Sequence, residues 1–543
     1  MNTSELLLIA ARMGIAFWLQ GDKLAYRAPA GAMTSELREE VILHKGDLVA
    51  LLRIGSPKQF TTAAQAPVAE DHDIPLSSGQ ERLWLVERRM GASSLYNVHF
   101  RLLWRGALDR EMLALTIRDI VAHHAALRTS FTVTAGAPRA IVSSDTAVEV
   151  EYFDLRDHSL EAKASAADEL TYAHQRQPFD LSRGPLIRVA IIALAHDDHV
   201  LLVTQHHIIT DGWSVRIFLT ELGRAYRARH LGQDVPWPGY TPEYGDYVRW
   251  QQTWRREQAY QERLAWWSEH LAGLPPLQLD QQRRGPRAAP DYSADSQEFL
   301  VPAELASRLK DLAWEQRCTL YTVLLTAWAV LLYRHANQTD FAIGTITSGR
   351  DQDEFHHVIG FFANTVILRC DLSGNPSVVD VISRMRTEVA SAFAQDVLFG
   401  DILLASEAAS HTSLTPLIQA AFVYQNIPLS DAFGAENARA LGADVTYDAS
   451  IDGAVAGMTK FDLSLTMRDS ASGISGHLQY ATARFDDDEI GRLGEHFVTL
   501  LQSIVRDPHE TIGRLRIISE QEQRRLILEW SSPDFEVLGR EHR

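Results

Sequence analysis

Apolar residues recur along this chain with two different periods, and the change of period marks its elements. The run Val200 to Val203 is continuously apolar and reads as a buried strand. From Val215 onward the spacing becomes helical, with Val215, Phe218, Leu219, Leu222 and Tyr226 on one face. The stretch between them, Gln205-His206-His207-Ile208-Ile209-Thr210-Asp211-Gly212-Trp213-Ser214, is therefore predicted to be a turn from strand to helix. Neighbouring side chains on a strand face opposite ways, so one histidine can face a cavity while the other packs inside. Gly212 permits a backbone geometry that other residues resist, and it lets another molecule approach closely. An imidazole with its ordinary pKa of about 6.5 can take up a proton at cellular pH. Taken by themselves, the two histidines also fit a plainer reading, as satisfied side chains at a strand end beside an Asp-Gly turn.

The same reading organises the rest. Ser4 caps a short helix that Gly14 ends. Alternation at Ile15, Phe17 and Leu19, a Gly21-Asp22 turn, and alternation at Leu24 and Tyr26 predict a β-hairpin. Two helices follow, one from Thr34 through Val41 and one holding Leu48, Leu51 and Leu52. This α-ββ-αα unit spans residues 1–55, and residues 56–73 lack periodicity and read as a linker. Beyond it, Ser77 and Gln80 have capping-box spacing ahead of Leu83 and Trp84. Strands are expected at Tyr96–Trp104, Ile187–Leu194, Phe341–Thr347 and Phe461–Met467. Helices are expected over Leu113–Val121, Trp250–Leu271, Ala303–Leu312, Thr319–His335 and Ile490–Leu501. Strands and helices thus alternate twice, over residues 74–271 and again over 272–516, which predicts a mixed α/β (α+β) body in two halves.

Composition narrows the function. At 543 residues the chain is too long for one core, so several domains are expected. Hydrophobic content of 46% and charged content of 22% are those of a globular protein. A net charge of -18 argues against nucleic acid as the main partner. Cys318 and Cys370 are the only cysteines, which gives neither a disulfide framework nor zinc spacing and suits a reducing cytoplasm. The apolar run Leu320 to Leu332 is too short to span a bilayer, so no membrane partner is expected. The hairpin carries Lys23 and Arg27 in an otherwise acidic chain, and its strand edge can accept a strand from a partner. A unit this small has a marginal core, so a homodimer through it is the alternative.

The pattern His206-His207-x-x-x-Asp211-Gly212 resembles that of nonribosomal peptide synthetase condensation domains. So do, in order, Pro75-Leu-Ser-Ser-Gly-Gln80-Glu-Arg-Leu-Trp84, His123-His124-Ala-Ala-Leu-Arg128-Thr129-Ser130-Phe131, Tyr244-Gly-Asp246-Tyr247-x-x-Trp250, and Ile359-Gly360-Phe-Phe-Ala363-Asn364-Thr365. The second motif departs from the usual Arg-His-Glu, with His123-His124-Ala125 in its place. Around Trp18, Tyr26 and Arg27 the first segment is similar to TubC-type docking domains. The resemblance implies two chloramphenicol-acetyltransferase-like lobes in a V-shaped pseudo-dimer with a tunnel between them. It implies that His207 acts in catalysis with Gly212, that His206 and Asp211 are structural, and that Arg128 holds Asp211, with Trp213 and Ser214 in support. Arg350, Gly360 and Asn364 would lie on loops bridging the lobes, those near 350–362 and 394–400, and Lys23, Arg27, Trp18 and Tyr26 would serve docking. His123-His124 and His356-His357 are read as surface residues.

The implied activity is amide formation between an acyl or peptidyl thioester and an aminoacyl amine. Both would be presented on phosphopantetheine arms of donor and acceptor carrier proteins, with no covalently bound cofactor and no metal. Implied partners are an upstream synthetase subunit, through its C-terminal tail, and a downstream adenylation domain toward which residues 517–543 lead. A non-catalytic recruitment module and a related carrier-dependent acyltransferase or epimerisation domain are the alternatives.

Overall fold

The computed structural model describes strands 16–20 and 23–27, residues 38 and 41, and residues 73–91, 93–237, 242–279, 292–406, 417–425, 429, 431–448, 458–470 and 472–530. The chain divides into two compact units, Met1–Asp71 and His72–Arg543. In the first, Ala16–Gln20 and Lys23–Arg27 pair antiparallel, with Phe17 opposite Tyr26 and Gln20 opposite Lys23. This is the predicted hairpin. Of the three helices expected around it, Arg38 and Val41 are described, both helical. The other helical residues, residues 56–72 of the linker, and the docking side chains of Trp18, Lys23, Tyr26 and Arg27 lie outside the described residues, and Asp73 opens strand Asp73–Pro75.

The second unit is built on two large sheets. One has five strands, in the order Asp444–Asp448, Asn97–Arg105, Asp198–His206, Ile187–Ala193, Val150–Asp154. Period-two alternation divides its side chains between two faces. Phe100 and Trp104 meet Phe218 and Tyr226 of helix Gly212–His230, with helix Arg110–His123 beside it. On the other face Val200 and Leu202 pack with Leu103 against Ala167 and Leu170 of helix Leu160–Arg176.

The second sheet has six strands, in the order Ala294–Pro302, Gly473–Ala481, Leu463–Ser470, Ala420–Gln425, Asp340–Thr347, Asn364–Asp371. Helix Leu320–Ala336 packs here. It is apolar all round because it is enclosed all round: every residue from Thr322 to Leu332 is buried. Thr319 caps its start and Asn337, at φ 51°, ends it in the left-handed conformation that Asn tolerates. Helix Asp487–Arg506 has a capping box, Asp486 with Glu489, and a buried stripe through Ile490, Leu493, Phe497, Leu500 and Leu501.

Segments from the second half of the chain also pack on the first. Strand Asp444–Asp448 crosses back and pairs with Asn97–Arg105, Tyr447 opposite Leu102. Phe433 packs edge-on against Trp104, and Phe355, Ile359, Phe361 and Phe362 also belong to the first core. Apolar side chains on long connections are buried where a neighbouring core has room, a choice local periodicity does not record.

Candidate active site at the strand-to-helix turn

Strand Asp198–His206 is central in its sheet, held by Asn97 opposite His206 on one side and Ile187 opposite Gln205 on the other. It ends at His206. One short 3₁₀ turn, His207–Ile209, leads to Asp211, which caps helix Gly212–His230 by accepting the Ser214 N–H at 2.7 Å. Gly212 does not have positive φ, so no unusual backbone conformation calls for glycine there. It is the first residue of a nineteen-residue helix, where backbone N–H groups lack intrahelical partners.

The two imidazoles have different surroundings. His206 is buried. Its Nδ1 accepts the Ile208 N–H at 3.1 Å, and its Nε2 faces the Glu87 carboxylate at 3.6 Å. Burial holds its pKa below the ordinary value, with Glu87 opposing. His207 is only half-buried. Its backbone N–H donates to Tyr96 O at 2.7 Å, its ring stands edge-on to Phe361, and its Nδ1 lies 2.7 Å from Thr210 O. A carbonyl can only accept, so Nδ1 carries the proton and the Nε2 lone pair is left available. Burial, with the Lys460 ammonium adding to it, holds this imidazole well below its usual pKa. It is therefore neutral at neutral pH. Lys460 lies with its Nζ 4.6 Å from the Tyr96 ring centroid, and burial followed by the Arg82 charge lowers its own pKa to about 7.

Asp211 corrects the expected pairing. Its partner is Arg350, with Nη2 3.3 Å from Oδ1, and the two side chains are 3% and 1% exposed respectively. Oδ2 accepts the Phe362 N–H at 3.0 Å. Arg350 is further tied to Phe355 O, Val358 O and Ser214 Oγ, and its guanidinium stacks 3.8 Å above the Phe362 ring centroid. Arg128 instead donates to Ser143 O at 2.7 Å. It closes the short turn Ala125–Arg128 that feeds strand Thr129–Thr134, so it braces that strand and not the histidine turn.

The remaining support comes from residues far apart in sequence. Ser214 Oγ accepts the Gly360 N–H and donates to Gly360 O. Trp213 Nε1 donates to His356 O at 3.0 Å, so His356 is not a plain surface residue. Gln80 reaches Ile208 O at 3.0 Å, and Tyr244 OH bridges Ser77 Oγ and Phe361 O. Asn364 binds Val397 O and the Phe399 N–H, which fixes the loop near 394–400. A Cβ at Gly360 would stand 2.0 Å from Tyr244 Cδ2. Gly360→Ala is therefore expected to lower stability by roughly 1–3 kcal/mol through overpacking, read as a lower urea midpoint. An unchanged midpoint would mean that this seam yields freely.

Residues 70–527 match the Condensation domain family, and residues 4–53 match the TubC N-terminal docking domain family. The chain belongs to the condensation-domain family.

Among relatives of this condensation domain, one of the linear gramicidin synthase proteins of Brevibacillus parabrevis is 34% identical over 466 residues. That alignment covers 86% of this chain and 9% of the relative. Phosphinothricin tripeptide synthetase PhsB of Streptomyces viridochromogenes is 33% identical, over 86% of this chain and 39% of its own length. The chain thus spans less than half of either relative. The X-domain from teicoplanin biosynthesis superposes with TM-score 0.73 at 26% identity, over 84% of this chain and 100% of that one. The first condensation domain of the calcium-dependent antibiotic synthetase shares the fold, with TM-score 0.69 at 20% identity, over 82% and 99%. The two-lobed, chloramphenicol-acetyltransferase-like α/β architecture is common to all three. Among the described residues, no helix of the condensation domain is long and apolar enough to cross a membrane.

Gln80, Tyr244 and Lys460 took no part in the site expected from sequence. The capping box at Ser77 pointed to Gln80 as a helix-start residue, but nothing local showed that its side chain also reaches Ile208. For Lys460 the sequence carries no signal beyond one cation ahead of an apolar strand.

Proposed function

We propose that this condensation domain joins a carrier-bound acyl or peptidyl thioester to the amine of a carrier-bound amino acid. The observation that carries the reading is His207, a half-buried neutral imidazole whose Nδ1–H is locked on Thr210 O. Its Nε2 lone pair accepts a hydrogen bond from the amine and orients it toward the thioester carbon. The C–N bond forms and the C–S bond breaks. The amine proton passes through Nε2 to the departing thiolate. The Gly212 N–H, at the helix start, faces the developing oxyanion, where the helix dipole favours negative charge. His206 stays structural, and the Asp211–Arg350 pair fixes the shape of the turn. Holding two tethered reactants end to end supplies much of the acceleration. The thioester already carries the energy, so ATP is not required. Phosphopantetheine arms bring the substrates through a tunnel between the lobes, and the N-terminal docking unit receives the tail of an upstream subunit. A panel of acyl- and aminoacyl-loaded carrier proteins, analysed by mass spectrometry, should yield an amide on the acceptor carrier. No product from any pair would overturn the reading.

Lys460 provides a second test. Removing its charge in Lys460→Met is expected to raise the His207 pKa. The acid limb of the rate profile, where the imidazole takes up its proton, then moves to higher pH than in the unaltered chain, still below the ordinary pKa of about 6.5 because burial remains. Superimposable pH profiles would sink this account of the lysine. A recruitment role is the second reading, favoured by one observation: the X-domain, solved also in complex with OxyB, superposes with TM-score 0.68 at 26% identity. Amide formation that depends on His207 separates the two.

A further inference from the structure

Helix Arg110–His123 ends one residue before His124, which takes up extended backbone at φ -111°, ψ 110°. Adjacent side chains diverge on a continuous helix or strand, but at such a junction they can converge. Here they do: the rings of His123 and His124 meet edge to face with centroids 4.9 Å apart. Glu221, on helix Gly212–His230, reaches the same point, with Oε2 2.6 Å from His124 Nε2. One ligand-type atom from each of the three residues lies within 4.8 Å of the others. His124 and Glu221 are buried, which corrects the surface reading of His124, and His123 is half-buried at the rim. Trp237 stacks on the His123 ring at 4.3 Å. Glu243, whose Oε2 accepts the Ala125 N–H at 3.1 Å, adds a second carboxylate nearby. None of these groups belongs to the histidine turn.

We propose that His123, His124 and Glu221 form a binding site for a divalent transition metal of the zinc type. Two imidazole nitrogens and one carboxylate oxygen are a donor set that suits zinc, with a fourth position left for water at the His123 rim. Bonds of about 2.0–2.1 Å in a tetrahedron set the ligand atoms about 3.3 Å apart. The 2.6 Å contact between His124 and Glu221 is a proton-bridged pair, so it opens by several tenths of an ångström as the metal replaces that proton. His123 closes inward. Both movements are within the reach of side-chain rotation. The motif that this stretch resembles usually carries arginine where His123 stands, and a guanidinium there would repel a cation. This chain presents an imidazole instead.

The test is titration of the full chain with zinc, and separately with cobalt, against His123→Ala and Glu221→Gln. His123 is at the rim, so its removal leaves the core intact. The expected result is one strongly bound zinc per chain and the visible bands of tetrahedral cobalt. Loss of one protein ligand is expected to weaken binding by about a hundredfold or more. Zinc affinity unchanged in His123→Ala, or cobalt bands that persist in it, would overturn the proposal and leave His124 and Glu221 as a hydrogen-bonded pair only. Failure to bind zinc in the unaltered chain would do the same. None of these readouts depends on amide formation.

Discussion

Replacing His207 with alanine is expected to lower amide formation from loaded carriers by about 10²–10⁴-fold, the range of a positioned acid–base group. The fold should survive, because the imidazole is only half-buried and its one side-chain bond, to Thr210 O, is local. Affinity for an upstream tail should not change, since that tail is assigned to the N-terminal unit. Product quantified by mass spectrometry, with a separate binding titration for the tail, measures both. Turnover within a few-fold of the unaltered chain would mean that Nε2 neither orients nor relays a proton. His206→Ala answers a different question. It removes a buried ring beside Phe179 and Tyr96, so its damage should appear as lost stability as well as lost rate.

The largest effect on stability is expected from Arg350→Met. The substitution leaves Asp211 as a buried carboxylate without its counter-charge, which costs about 3–5 kcal/mol in comparable pairs. It also strips hydrogen bonds from Phe355 O, Val358 O and Ser214 Oγ. Lysine is not expected to rescue it, because a point charge cannot serve several acceptors in one plane as a guanidinium does. Combining Arg350→Met with Asp211→Asn should cost less than the two separate losses added together, since the residues share one interaction. Guanidinium unfolding of the four proteins gives the comparison. Strict additivity would mean that the pair contributes little to holding the turn.

The histidine turn was legible because its signal is local: an apolar run, a polar turn and a helical period in immediate succession. The same holds for helix Leu320–Ala336 and for the Ser77 capping box, where a few neighbouring residues determine the outcome. Partner choice was not legible. Asp211 and Arg350 are 139 residues apart, and nothing near either states that they meet. Arg128 was the plausible partner from motif resemblance, yet its place beside strand Thr129–Thr134 directs it to Ser143. Strand Asp444–Asp448 joins the far sheet because of edge pairing and the room left beside Trp104, both tertiary facts. His124 is buried by one break in helical geometry that sequence periodicity does not locate to the residue.

Asp211 accepts one hydrogen bond from its own helix and two from the segment 350–362, one through the Arg350 side chain and one through the Phe362 backbone. That segment packs in the same core as the histidine turn, so a scissor-like parting of the halves would leave the machinery assembled. A wide gap between the halves and an intact histidine turn would then be compatible.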